Sequence, residues 1–133
     1  MLQEIVGLAD EPPTKRRWFH DDYFDLFVWL TASGEVTRFQ LCYGIHAQEQ
    51  ALVWYRQGGF FLDGYTDRRA EPIESVIAHF ESAGPTLPKM IRRTVEARLH
   101  EFARNAREVP ARRQEFRRAP WQRRLPAGER RSG

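Results

Sequence analysis

Aromatic and β-branched residues gather in short runs separated by turn residues through the first half of the chain, and from residue 72 onward apolar positions fall into a spacing of three and four. That order predicts strands first and helices after, an α+β arrangement in which helices cover one face of an antiparallel sheet. The clearest pair of strands is Asp22 to Leu30 and Val36 to Tyr43, rich in aromatic and β-branched residues, with Ser33-Gly34 between them as turn chemistry. If Ser33-Gly34 is a two-residue turn, Ala32 faces Glu35. Leu30 then faces Thr37, Val28 faces Phe39, Leu26 faces Leu41 and Phe24 faces Tyr43, giving one apolar face. A slip of one residue would set Leu26 against Gln40 and Val28 against Arg38, so the apolar pairing is favoured.

Lys15 to His20 reads as a further strand, and its Arg16-Arg17 pair marks it as an edge candidate. Residues 1–14 read as an extended lead-in ending in Asp10-Glu11-Pro12-Pro13. Beyond the polar connection Gly44 to Gln50, a second β region spans Ala51 to about Thr66. It carries two competing turn signals, Gln57-Gly58-Gly59 and Asp63-Gly64, compatible with one hairpin or two short ones. The sheet is therefore expected to be a meander of four or five strands. Ile73, Val76, Ile77 and Phe80 predict a helix over about 72–83, opened by Pro72 and closed by Gly84. Leu87, Met90, Ile91, Val95, Leu99 and Phe102 predict a second over about 86–107, with Thr86 as N-cap and an end before Pro110. The expected core is Phe24, Leu26, Val28, Leu30, Phe39, Leu41, Ile73, Val76, Ile77, Phe80, Ile91, Val95, Leu99 and Phe102.

Charge divides the chain differently. Residues 1–103 hold 11 Lys and Arg against 15 Asp and Glu, a net of −4, whereas residues 104–133 hold 10 Arg and 3 Glu, a net of +7. The modest total of +3 conceals this split. Residues 109–133 have few large apolar groups and are interrupted by Pro110, Pro120 and Pro126, so they are expected to be a disordered arginine-rich tail. The domain plan is then a lead-in at 1–14, one α+β domain at 15–108 and a tail at 109–133. No apolar run approaches the roughly 18 residues of a membrane span, no apolar leader opens the chain, and the single Cys42 rules out an internal disulfide. A cytoplasmic protein without a membrane partner is expected.

Two places carry candidate chemistry. The reverse face of the β hairpin mixes Tyr23, Asp25, Phe27 and Trp29 with Arg38, Gln40 and Cys42. Flat rings supply contact area while Arg and Gln supply direction, so Tyr23, Asp25, Phe27, Trp29, Arg38 and Gln40 form a candidate ligand or partner face. Trp29 opposite Arg38 also permits a cation–π contact. The structural alternative is that helices or a second copy in a homodimer cover this face, with Asp25 and Arg38 paired at its margin. In the tail, Arg112, Arg113, Arg117, Arg118, Trp121, Arg123 and Arg124 have the chemistry of a non-specific RNA or DNA contact, since arginine neutralises phosphates and aromatics stack on bases. The bland alternative is a solvated, compositionally biased terminus.

Evidence for catalysis is thin. His20, Asp21, Asp22 and Asp25 lack metal-ligand spacing, His100 pairs naturally with Glu96 one helical turn away, and Cys42 has no base beside it in sequence. No phosphate loop or nucleophile elbow is present. No catalytic residue, metal or cofactor is assigned. An enzyme reading is the weakest of three and would draw on Asp25, Arg38, Gln40 and His20. A non-enzymatic binding or protein-interaction domain is the leading expectation.

Arg16–Phe19 (RRWF), Tyr23–Trp29 (YFDLFVW) and Phe39–Tyr43 (FQLCY) resemble the opening of a group of small bacterial proteins of unknown function. The resemblance spans roughly residues 15–103 and excludes the tail. It implies a compact α+β domain in a bacterial cytoplasm and imports no activity, cofactor or site residue.

Overall fold

The β hairpin organises the molecule. In the computed structural model, which describes residues 1–44, 49–64, 71–105, 111–112 and 116–123, strands β3 (Asp25–Leu30) and β4 (Val36–Tyr43) pair with Val28 opposite Phe39, Leu26 opposite Leu41 and Trp29 opposite Arg38. The pairing argued from apolar parity therefore holds over the body of the hairpin. Its end differs. Thr31 and Glu35 close a three-residue loop, Gly34 takes φ +91°, and a bulge shifts the register so that Leu30 faces Val36 instead of Thr37. The bulge sets Val36 with Leu30 in the apolar layer and leaves the Thr37 hydroxyl to donate to the Trp29 carbonyl at 3.3 Å. Phe24 lies in the turn before β3, so it faces no β4 partner, although it is fully buried.

Six strands form an antiparallel meander, more than the four or five expected: β1 (Gln3–Ile5), β2 (Lys15–His20), β3, β4, β5 (Gln50–Tyr55) and β6 (Gly59–Asp63). The two-residue β7 (Ala111–Arg112) adds in parallel to β6. The extra strand comes from the lead-in. β1 is too short and polar to show an alternation, but the Arg17 guanidinium grips both Glu4 carboxylate oxygens at 2.7 Å, and Leu2 beside it is buried. The Arg16-Arg17 strand is consequently internal, and β1 is the edge. Between β5 and β6 the competition resolves to one hairpin, turning at residues 56–58 with Gly59 at φ +78°. Gly64, at φ +114°, ends β6.

Helices α1 (Ile73–Ala83) and α2 (Lys89–Asn105) pack on the even-numbered face of β3 and β5, burying Leu26, Val28, Leu52 and Trp54 against Val76, Phe80, Ile91, Val95, Leu99 and Phe102. Pro72 caps α1 with extended backbone, and Gly84 follows its end, as the spacing predicts. Two details are corrected. Thr86 belongs to a short 3₁₀ turn ahead of α2, and its hydroxyl donates to the Leu2 carbonyl at 2.6 Å instead of capping the helix. Met90 is 57% exposed although its neighbour Ile91 is in the core, and Ile73 is only half-buried. The connection at 45–48 and the expected end of α2 between residue 107 and Pro110 lie outside the described residues.

Candidate functional site

The opposite face of the sheet has its own buried layer, built by the odd-numbered side chains of β3 and β5. Trp18, Phe27, Trp29, Cys42, Ala51 and Val53 pack there with Phe116, joined by half-buried Ile5, Leu8, Tyr55, Phe61 and Trp121. Residues 116–123 thus lie across the face. The expectation of a tail without packing partners is corrected for this segment: its two aromatic residues find a sheet face whose own rings and carboxylates complement it. Residues 106–110, 113–115 and 124–133 lie outside the described part.

Asp25 is the polar centre of this face and is fully buried. Its Oδ1 accepts from Trp18 Nε1 at 2.7 Å and lies 2.8 Å from His20 Nδ1, while Oδ2 accepts from Arg118 Nη2 at 2.5 Å. The same guanidinium donates from Nε and Nη2 to the Glu49 carboxylate at 2.9 and 2.8 Å and from Nη1 to the Gln122 carbonyl at 3.1 Å. Burial works to raise the Asp25 pKa, but the His20 hydrogen bond and the charge and hydrogen bond of Arg118 outweigh it and hold the carboxyl below its usual value. Burial works against the Arg118 charge as well, and its bonds to Glu49 and Asp25 more than compensate, so its pKa is raised. Cys42, paired with Asp25 across the hairpin, is pushed up to about 12 chiefly by burial, which makes it a poor nucleophile. Its sulfur accepts from Gln40 Nε2 at 3.5 Å, and that amide also donates to Gln122 Oε1 at 3.3 Å.

Trp121 sits edge-on to Phe27 and Trp29, with centroids 5.4 and 5.5 Å away, and carries the Arg16 guanidinium 4.1 Å over its ring. Arg16 in turn lies 3.6 Å from Glu11, whose other oxygen accepts from Trp29 Nε1 at 3.2 Å. A continuous set of contacts therefore leads from the tail segment to the far side of Trp29.

On that far side the face opens into a cleft of about 550 Å³, lined by Glu11, Thr14, Trp29, Thr37, Arg38, Tyr55 and neighbouring turn residues. The Arg38 guanidinium lies 3.9 Å over the Trp29 ring and 4.8 Å over Tyr55. Its Nε is shielded from solvent without a hydrogen-bond acceptor, and among the described residues no carboxylate pairs with it. Arg56, the other cation at the rim, is bound to Glu35 at 3.2 Å.

Of the expected face, Asp25, Phe27, Trp29, Arg38 and Gln40 do share one surface, and the Trp29–Arg38 contact is present. Tyr23 is not on it. Asp21 Oδ1 accepts from the Tyr23 and Phe24 amides at 2.8 and 2.7 Å, folding a turn that breaks the alternation, and Tyr23 stacks on His79 of α1 at 4.1 Å. Nor do Asp25 and Arg38 pair, since Arg118 takes the carboxylate. Among the tail residues, Arg118 and Trp121 pack on the sheet face. Arg117 and Arg123 are exposed, Arg112 is placed by its backbone in β7, and Arg113 and Arg124 lie outside the described residues. His100 lies 3.8 Å from Glu81 on α1, while Glu96 holds Arg92. Sequence reasoning missed Glu49, Glu11 and Tyr55. Only Tyr55 left a signal, its parity with Ala51 and Val53.

Among the described residues no cluster of three His, Cys, Asp or Glu side chains is placed to hold a metal ion, and no helix is long and apolar enough to cross a membrane. No protein-family model, curated protein or solved structure matches this chain.

Proposed function

We propose that this chain is a non-enzymatic binding domain whose cleft beside Trp29 takes a small anionic compound, a carboxylate or phosphate carried on a planar body. One observation carries the reading: Arg38 lies against two aromatic rings, without a carboxylate partner among the described residues, at the wall of a cleft large enough for a small molecule. A guanidinium offers several N–H donors in a fixed fork that suits a planar oxyanion. Trp29 and Tyr55 offer apolar walls to the body of the ligand, and Thr14 and Thr37 offer hydroxyls.

Titration calorimetry with benzoate, phenyl phosphate and inorganic phosphate tests this. The aromatic anions should bind more tightly than inorganic phosphate. Arg38→Met, which keeps the stem and removes the charge, should weaken them about 10- to 100-fold, the equivalent of roughly 1.5–3 kcal/mol for a charge-assisted hydrogen bond. No heat from any of the three at about 10 mM, or an Arg38→Met variant that binds as wild type does, would refute the reading.

A further inference from the structure

The covered part of the sheet face has the construction of a receptor, with its ligand carried by the same chain. The groups that anchor residues 116–123 to the sheet come from elsewhere in the fold. Asp25 and Glu49 supply two carboxylates for one guanidinium. Phe27, Trp29 and Arg16 form the slot for one indole. Gln40 meets the Gln122 amide. Trp18 and His20 on β2 meet Asp25 at Oδ1, and Oδ2 accepts from Arg118. A fully buried carboxylate on a ring-lined sheet face is costly unless a cation meets it there. Arg118, which arrives from 93 positions along the chain, brings a guanidinium to Oδ2.

The segment is also compact in sequence. Arg118 and Trp121 are three residues apart, and Pro120 opens the short 3₁₀ turn that sets both toward the sheet. Gln122 stiffens the turn, its Oε1 accepting from the Ala119 amide at 3.1 Å. The two anchoring side chains therefore come from one short stretch of chain, as they would in a peptide ligand.

We propose that this face is a recognition site for an Arg-x-x-Trp peptide segment on a partner protein, and that residues 116–123 are its resident occupant in cis. The tether gives that occupant an effective concentration in the millimolar range, so a partner segment competes at a disadvantage until the resident one is weakened. This site is separate from the Arg38 cleft, and the two share only Trp29.

The test is fluorescence anisotropy with a labelled peptide of the sequence Phe116–Arg123, titrated with full-length protein. Two chains are compared, wild type and the doubly substituted Arg118→Ala, Trp121→Ala chain, with folding checked by circular dichroism. The double variant should bind the peptide at least about tenfold more tightly than wild type, because its own segment no longer competes. Peptides carrying Arg118→Ala or Trp121→Ala, which leave the protein untouched, should each bind at least about tenfold more weakly. If the double variant does not fold, the single Arg118→Ala chain takes its place, and excess peptide on wild type gives the same ranking of peptides. A scrambled peptide of identical composition that binds as well as the native one would overturn the proposal. So would a folded variant that binds no peptide.

Discussion

Replacing Arg118 by Ala removes the guanidinium that the arginine-rich segment brings to the carboxylates of the sheet face, and its cost follows from the burial of what remains. Asp25 is fully buried and keeps Trp18 and His20, but it loses the guanidinium at Oδ2, and Glu49 loses two hydrogen bonds. Removing one partner of a buried ion pair costs about 3–5 kcal/mol, because the other charge stays desolvated. The Arg118 and Glu49 side chains are 11% and 19% exposed, so water reaches the group from one side and the lower figure, about 3 kcal/mol, applies. For a chain of this size each kcal/mol lowers Tm by roughly 3–5 °C, so the melting point should fall by about 10–15 °C at pH 7.

The effect has a pH signature. The Asp25 carboxyl lies below its usual value in the folded protein: burial raises it, and the His20 bond with the Arg118 charge and bond lowers it further than burial raises it. A depressed folded pKa contributes stability that is present above the unfolded value of about 3.9 and is lost as pH falls through the folded one. Without Arg118 that depression shrinks, so the stability lost on acidification should be smaller and the loss should be complete at a higher pH. Urea and thermal melts of wild type, Arg118→Ala and the exposed control Arg117→Ala, at neutral and acid pH, measure both quantities. The control should stay within about 0.5 kcal/mol of wild type. An Arg118→Ala chain that melts within about 2 °C of wild type would refute the reasoning, since the segment would then contribute nothing to the fold.

Two further outcomes test other parts of the structure. Leu26→Ala and Leu99→Ala, each at a fully buried position between sheet and helices, should cost about 2–5 kcal/mol in urea melts, and an unchanged midpoint in both would remove them from the core. Cys42, fully buried with its pKa pushed up to about 12, should resist a thiol-specific disulfide reagent at pH 8 in the folded protein and react once unfolded. Rapid labelling of the native chain would show that the sulfur is reached by solvent.

Local signals were legible where neighbours in sequence are neighbours in space. Apolar parity along β3 and β4 is enough to pair Val28 with Phe39 and Leu26 with Leu41, because a one-residue slip would turn every apolar side chain to the wrong face. The helix over Ile73–Ala83 follows from spacing with Pro72 and Gly84 at its ends. That Trp29 meets Arg38 follows from the same register. β1 escaped notice because three residues are too few for an alternation, and its place depends on Glu4 finding Arg17 across the strand pair. Tyr23 was misplaced because an Asp21 turn ends the alternation one residue before β3 begins.

What composition concealed was the role of residues 116–123. By themselves they hold too little apolar surface to order a chain, and their arginines read as a solvated run. Phe116, Arg118 and Trp121 become ordered only because Asp25, Glu49 and the rings of Phe27 and Trp29, from distant parts of the chain, form a surface that matches them. Strands, helices and hairpin register depend on repeating patterns of neighbouring residues, which a sequence displays directly. The partner of a buried carboxylate depends on which distant cation the assembled sheet brings within reach, and that was decided in three dimensions.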